Sequence, residues 1–189
     1  MKKMIAMLLC IVLVLGLMAG CVVEEDNSGV NKYNLKTVKE GYLTVVTSPD
    51  YAPYEFYAIV DGKPQLAGFD MDLAKYIAHY LGLTLELVPM DFDGTITELG
   101  NKKCDLSMAG YSLDPDRLIY MDFTDVYYTS EQVLVTTADK KDIITSTEIA
   151  NNPDYKIGVQ TGSIQAELAH EFTPNADIVE LSKVTDIIM

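Results

Sequence analysis

Between residues 42 and 108 the hydrophobic pattern switches repeatedly between the period of a strand and that of a helix. Tyr42–Thr47 is a β-branched run that reads as a buried strand. Leu73, Ala74, Ile77, Ala78 and Leu81 then recur at helical spacing. Asp70 is placed as the N-cap, Asp72 in the first turn, and Gly82 as the stop. Leu83–Val88 returns to strand, Thr95–Asn101 to a short helix, and Cys104–Met108 to a third strand. Asp61-Gly62-Lys63-Pro64 reads as a turn. Strands alternating with helices specify an α/β lobe with a mainly parallel sheet.

A second such pattern starts near residue 130. Thr129–Thr137, with Val133, Leu134 and Val135, reads as a strand. Thr145-Ser146-Thr147-Glu148 fits a capping box opening a short helix that Asn151-Asn152-Pro153 stops. Lys156–Gln160 reads as a strand, Ile164–Phe172 as a helix after the Thr161-Gly162-Ser163 turn, and Asp177–Leu181 as the last strand. Val184, Ile187 and Ile188 begin a helical pattern just before Met189.

The first twenty residues stand apart. Lys2 and Lys3 precede a nearly all-apolar run, Met4–Met18, followed by small Ala19 and Gly20. This is the pattern of a secretory signal, residues 1–20, too short for a comfortable membrane-stop helix. Leu17-Met18-Ala19-Gly20-Cys21 resembles a bacterial lipobox, with Met18 a mild departure. The resemblance implies that Cys21 carries diacylglycerol and an amide-linked chain such as palmitate. Two such attachments suffice for stable anchoring at the outer face of a cell membrane. Residues 21–40 then read as a tether. With Cys10 in the signal and Cys21 acylated, Cys104 has no partner and reads as a buried core thiol.

The chain carries 14 Lys+Arg against 28 Asp+Glu, a formal charge of −14, and no run of basic residues exceeds two. Nucleic acid is therefore excluded as a partner. Asp91-Phe92-Asp93-Gly94 lacks the later ligands of a calcium loop, and neither a phosphate loop nor a nucleophile motif is present. No metal, cofactor or catalytic residue is assigned. His79 reads as a surface residue of the first helix.

In open α/β sheets, ligands bind beyond the carboxyl ends of the strands. Four segments fall there: 48–56, 91–94, 109–117 and 160–165. Their order and wording resemble the extracellular amino-acid-binding proteins that feed ABC importers. The matching text is Tyr51-Ala52-Pro53-Tyr54-Glu55-Phe56, Gly68-Phe69-Asp70-Met71-Asp72-Leu73-Ala74, Phe92-Asp93-Gly94, Asp105-Leu106 and Pro115-Asp116-Arg117. Asp122–Tyr128 and Gly158-Val159-Gln160-Thr161-Gly162-Ser163 complete it, so that the likeness covers residues 42–189.

The resemblance implies a periplasmic-binding-protein-like fold of two α/β lobes. Residues 41–127 would form the first lobe, 128–139 the crossover, and 140–189 a partial second lobe whose return to the first is not included. It further implies a polar amino acid as ligand, permease subunits as partners, and no catalysis. A chain without the returning strand is expected to bind amino acid poorly. Arg117 would clamp the ligand carboxylate, a task that suits a guanidinium's two parallel donors. The helix start at Ser163 and Ile164 would add backbone N–H groups to the same carboxylate. Gly110 and Ser112 would supply a carbonyl and a hydroxyl, and Tyr51 and Phe92 would sandwich the ligand. Without the resemblance, Arg117 reads as a surface arginine paired with Asp114 or Asp116, and Tyr51 and Phe92 as core. Tyr54 and Phe56 read as core, and Asp70 as a helix cap. Two rival readings remain. One is a dehydratase-type enzyme on the same scaffold, for which Glu55 is the nearby acid. The other is a receptor ectodomain.

Overall fold

The computed structural model describes residues 31–189; the expectations for the signal and for Cys21 lie outside them. Strand β1 (Tyr42–Thr47) is the centre of a parallel three-stranded sheet. It pairs along its whole length with β5 (Thr84–Pro89), from Tyr42 opposite Thr84 to Thr47 opposite Pro89. On its other side it pairs with β6 (Leu106–Ser107). Buried on both faces, β1 can be apolar and β-branched throughout.

Helix α1 (Phe69–Leu81) lays Ala74 and Ala78 against this sheet. Leu43, Val45, Leu83 and Met108 close the core, with Leu73, Ile77, Leu81, Leu85 and Leu87 around them. The helix ends as the sequence requires. Gly82 is left-handed (φ 70°), its N–H bonds the His79 carbonyl, and the Leu83 N–H bonds the Ala78 carbonyl. Helix α2 (Phe92–Gly100) crosses from β5 to β6 and begins three residues earlier than its apolar spacing suggests. Cys104 is buried, as expected, and His79 is exposed.

One sheet was not expected, and three expectations are corrected. The expected turn at Asp61-Gly62 lies within an antiparallel sheet of β2 (Asp50–Tyr51), β3 (Glu55–Val60) and β4 (Lys63–Ala67). Asp61 and Gly62 both take positive φ (51° and 74°), which matches the twist of a two-residue hairpin. The hairpin stands away from the core, so β4 is polar and carries Pro64 at its free edge. No apolar alternation announced it.

Thr129–Thr137 is not a strand. It pairs with nothing among the described residues, and Val135 is 81% exposed. β-propensity describes fit to a neighbouring strand, and here no described strand lies beside it.

Asp70 does not cap α1. The cap position is Gly68, and the first N–H groups of the helix, those of Phe69 and Asp70, bond the carbonyls of Pro53 and Tyr54 at 3.0 Å each. The short helix α3 (Thr147–Ala150) is capped by Ser146, not Thr145; the Ser146 hydroxyl accepts the Ile149 N–H.

The second α/β unit pairs β7 (Lys156–Gln160) with β8 (Asp177–Leu181) in parallel. Helix α4 (Ile164–Phe172) connects them and buries Ala166, while Val159 is buried on β7. A last turn of helix, α5 (Val184–Ile187), packs Ile187 against Gly158, where a Cβ would come within 2.8 Å of it. Residues 31–40, at the end of the expected tether, lie on the first unit. The Val38 N–H bonds Asp105 at 2.8 Å, and Tyr33 stacks on Tyr80 with Lys32 over the Tyr80 ring.

Candidate functional site

Arg117 stands on one turn of 3₁₀ helix, Pro115–Ile119, between the two units. Asp114 creates the turn: its carboxylate accepts the Asp116 N–H at 2.9 Å. The other oxygen of Asp114 faces Arg117 Nε at 3.3 Å. The pairing that would make Arg117 an ordinary surface arginine thus exists, but it is not at the surface, since Arg117 is only 3% exposed. With Nε held by Asp114, the Nη edge is turned to the second unit, where Nη2 donates to the Gly162 carbonyl at 3.1 Å. A guanidinium carries five N–H donors, and these two contacts leave the rest of its tip for another acceptor.

Below the guanidinium lies Tyr111, its ring centroid 5.9 Å from Arg117 Cζ. Tyr111 is fixed from beneath by hydrogen bonds of its hydroxyl to Ser107 and Thr95. Phe92, the first residue of α2, tilts against the Tyr111 ring at 5.1 Å and is buried. On the other flank Gly110 adopts φ +59°, and a Cβ there would meet the Tyr51 ring at 3.1 Å. That close approach and the left-handed backbone explain the glycine. Tyr51 stacks in turn on Tyr54, centroids 5.2 Å apart. Ser112 follows Tyr111 and is half-buried.

The second unit contributes the turn before α4. Ser163 is buried and its hydroxyl is committed locally: it accepts the Ala166 N–H at 3.2 Å and donates to the Gln160 carbonyl at 2.7 Å. What it leaves for a ligand is the first-turn backbone, starting at half-buried Ile164. Gly162 (φ +74°) lets Asp93 approach, since a Cβ there would lie 3.4 Å from that of Asp93. The structure therefore brings Arg117, Phe92, Gly110, Tyr51 and the Gly162-Ser163-Ile164 turn to one place, with Ser112 at its edge.

Two acids sit beneath this cleft. Glu55 is 1% exposed and no donor is aimed at its Oε2. Burial pushes its carboxyl up to about 10, and the neighbouring Asp70 and Asp50 carboxylates push in the same direction. Asp70 is fully buried and is raised by burial too, against the lowering effect of hydrogen bonds from Gly110 and Tyr127.

Glu55 thus keeps a proton that the unfolded chain releases above its ordinary value of 4.5. Stability from this residue is complete below that value and drains away as pH rises toward the folded value. Glu55→Gln, which cannot ionise, is expected to gain on the wild type steadily between about pH 5 and pH 9, read as the urea midpoint. A midpoint difference that stays flat across that range would show that Glu55 is already ionised in the fold.

Sequence reasoning underrated Tyr111 and Asp70. Asp114 was named with Asp116 as a partner for Arg117, and the structure selects Asp114, because an acid three residues before a base on a helical turn faces it. Asp70 carries no local signal, since its partners Gly110 and Tyr127 are 40 and 57 residues away in the chain, and Tyr111 is held to Thr95, 16 residues away, as well as to nearby Ser107.

The profile of the bacterial extracellular solute-binding proteins, family 3, matches residues 43–185. The arginine-binding extracellular protein ArtP of Bacillus subtilis is 38% identical over 135 residues, 70% of this chain and 49% of that protein. An amino acid ABC transporter substrate-binding protein from Streptococcus pneumoniae, solved bound to L-arginine, superposes with a TM-score of 0.75. It is 34% identical and covers 78% of this chain and 61% of its own. The ancestral amino-acid-binding protein AncCDT-1, a precursor of cyclohexadienyl dehydratase, gives a TM-score of 0.73 at 38% identity, over 78% of this chain and 64% of its own. The chain spans about half the length of ArtP and under two thirds of these solved chains. With the profile matched across both α/β units, the chain belongs to the bacterial extracellular solute-binding proteins, family 3.

Proposed function

We propose that this protein captures a cationic amino acid, arginine first, between its two α/β units and presents it to the permease subunits of an ABC importer. The observation that carries this reading is the buried Arg117 guanidinium, held by Asp114 and turned toward the Gly162-Ser163-Ile164 turn. A planar cation beside the start of a helix suits the carboxylate of an amino acid. The domain boundaries are read as residues 41–127 for the first lobe, 128–139 for the crossover and 140–189 for the second lobe.

Two observations favour a cationic side chain. Acidic groups border the cleft: Asp93 lies against Gly162, and Asp50 reaches across to the second unit, accepting the Val184 N–H at 2.7 Å and Gln160 Nε2 at 3.4 Å. Relatives and structural neighbours named for arginine support the same choice. Calorimetric titration with arginine, lysine and glutamine tests it. Arginine should bind at least about tenfold more tightly than glutamine, a difference of about 1.4 kcal/mol. Equal affinities for the three would refute it.

The protein works from the outer face of the cell membrane, held by acyl chains on Cys21. Cys21→Ser should move it from the membrane pellet to the soluble fraction, because lipid supplies nearly all of such attachment. Retention of the serine variant after a high-salt wash would count against lipidation.

A second reading is favoured by one observation: Glu55, a carboxyl kept protonated beside Gly110 and Tyr51, is a potential general acid, and AncCDT-1 is named as the precursor of a dehydratase. Release of water from a prephenate-like acid would support it.

A further inference from the structure

Glu55 on β3 and Asp70 on α1 are buried, at 1% and 0% exposure, and both reach Gly110: Asp70 accepts its N–H at 3.1 Å, and Glu55 Oε1 lies 3.8 Å from where its Cβ would stand. The titratable groups that face them from the surrounding elements are Asp50 on β2, Tyr54 on the loop before β3, and Tyr127 on the segment leading to the second unit. None of these brings a positive charge. Two adjacent buried carboxyls without a cation cannot both ionise.

Hydrogen bonding shows where the charge sits. Both oxygens of Asp70 accept: Oδ2 from the Gly110 N–H at 3.1 Å, and Oδ1 from the Tyr127 hydroxyl at 3.0 Å. That is the pattern of a carboxylate. Glu55 Oε2 has no donor aimed at it, while Oε1 lies 3.8 Å from where a Gly110 Cβ would stand. The proton of the pair therefore belongs to Glu55, which as a neutral acid can donate to Asp70.

The two donors to Asp70 come from different machinery. Gly110 opens the loop that carries Tyr111, Ser112 and Arg117. Tyr127 lies in the exposed run toward the second unit, stacked on Phe69 at 5.9 Å, and the next residue, Tyr128, packs edge-on to Tyr54 at 5.4 Å. Tyr54 stacks on Tyr51 in the cleft. One carboxylate thus joins the ligand loop to the strand of chain about which the second unit would move.

We propose that Asp70 is a positioning residue that locks the Gly110 loop to the crossing segment at Tyr127, so that ligand capture and lobe movement depend on a single buried acceptor. The proposal rests on the amino-acid-binding reading for its functional half. Its structural half is independent of ligand.

The test uses the full chain in four forms: wild type, Glu55→Gln, Asp70→Asn and Tyr127→Phe. Infrared difference spectra at neutral pH should show the carbonyl stretch of a protonated carboxyl in the wild type and its loss in Glu55→Gln. Hydrogen exchange at the Gly110 amide should be at least tenfold faster in Asp70→Asn and unchanged in Glu55→Gln, since glutamine reproduces the neutral donor. Tyr127→Phe, a mild change that keeps the ring, should speed exchange across residues 126–130 without altering the infrared band. In ligand titrations Asp70→Asn should weaken arginine binding at least tenfold. Absence of a protonated-carboxyl band, or equal damage from Glu55→Gln and Asp70→Asn, overturns the proposal. If the wild type binds no amino acid, the binding reading fails, and the infrared and exchange results still decide the pair.

Discussion

Replacing Arg117 with alanine is expected to weaken amino-acid binding by more than about a hundredfold while the circular dichroism spectrum stays that of the wild type. The guanidinium is the cation that the site offers to a ligand carboxylate, and it is almost fully withdrawn from water. Removing one partner of a buried pair costs about 3–5 kcal/mol, because the other is left desolvated and uncompensated, and each 1.4 kcal/mol or so is tenfold in affinity. Arg117→Lys should recover little, since an ammonium cannot hold Asp114 through Nε and present two parallel donors at once. Calorimetry on the wild type and both variants decides the matter. A loss below tenfold for the alanine variant would remove Arg117 from the clamp role and return it to a structural pairing with Asp114.

The largest stability effect is expected at Gly68. It sits at the start of α1 with φ +125° and ψ 172°, and a Cβ there would lie 2.2 Å from the Tyr54 carbonyl oxygen and 2.9 Å from that of Pro53. Those same carbonyls accept the first N–H groups of the helix. An alanine must therefore push away the backbone that caps α1 and distort a φ that L side chains avoid. Strained backbone and a broken cap together should cost about 3 kcal/mol or more, measured as the shift in urea midpoint at constant slope. Because the displaced loop carries Tyr51 and Tyr54, ligand affinity should fall as well. A loss of less than about 1 kcal/mol would mean that the loop yields without strain.

Both effects trace to loops whose positions come from the assembled fold. The elements themselves were largely legible. The β-branched run at 42–47, the helical spacing of Leu73 to Leu81 and the glycine that ends it need only local physics: side-chain periodicity and the left-handed tolerance of Gly82. The same holds for β7, α4 and β8, whose limits agree with the pattern. Errors came where a segment's state depends on a distant neighbour. Residues 129–137 have the composition of a strand, but no described strand lies beside them to pair with. The β3–β4 hairpin has partners and forms, although its exposed faces break the expected alternation.

The candidate site divides the same way. Arg117, Gly110, Ser163 and the aromatics could be named because their motif order resembles that of a known family; without the resemblance Arg117 reads as a surface arginine and the aromatics as core. The sequence by itself determined the α/β class, most element boundaries and the residue types that gather at the strand ends. Only the tertiary structure decided that Arg117 is buried rather than paired at the surface, that Asp70 serves Gly110 and Tyr127 rather than its own helix, and that Glu55 lies beside it with no cation among the described residues. The reason is physical. Periodicity and capping act over one or two turns of chain, whereas the charge state of a buried carboxyl is set by desolvation and by partners that only folding brings within a few ångströms.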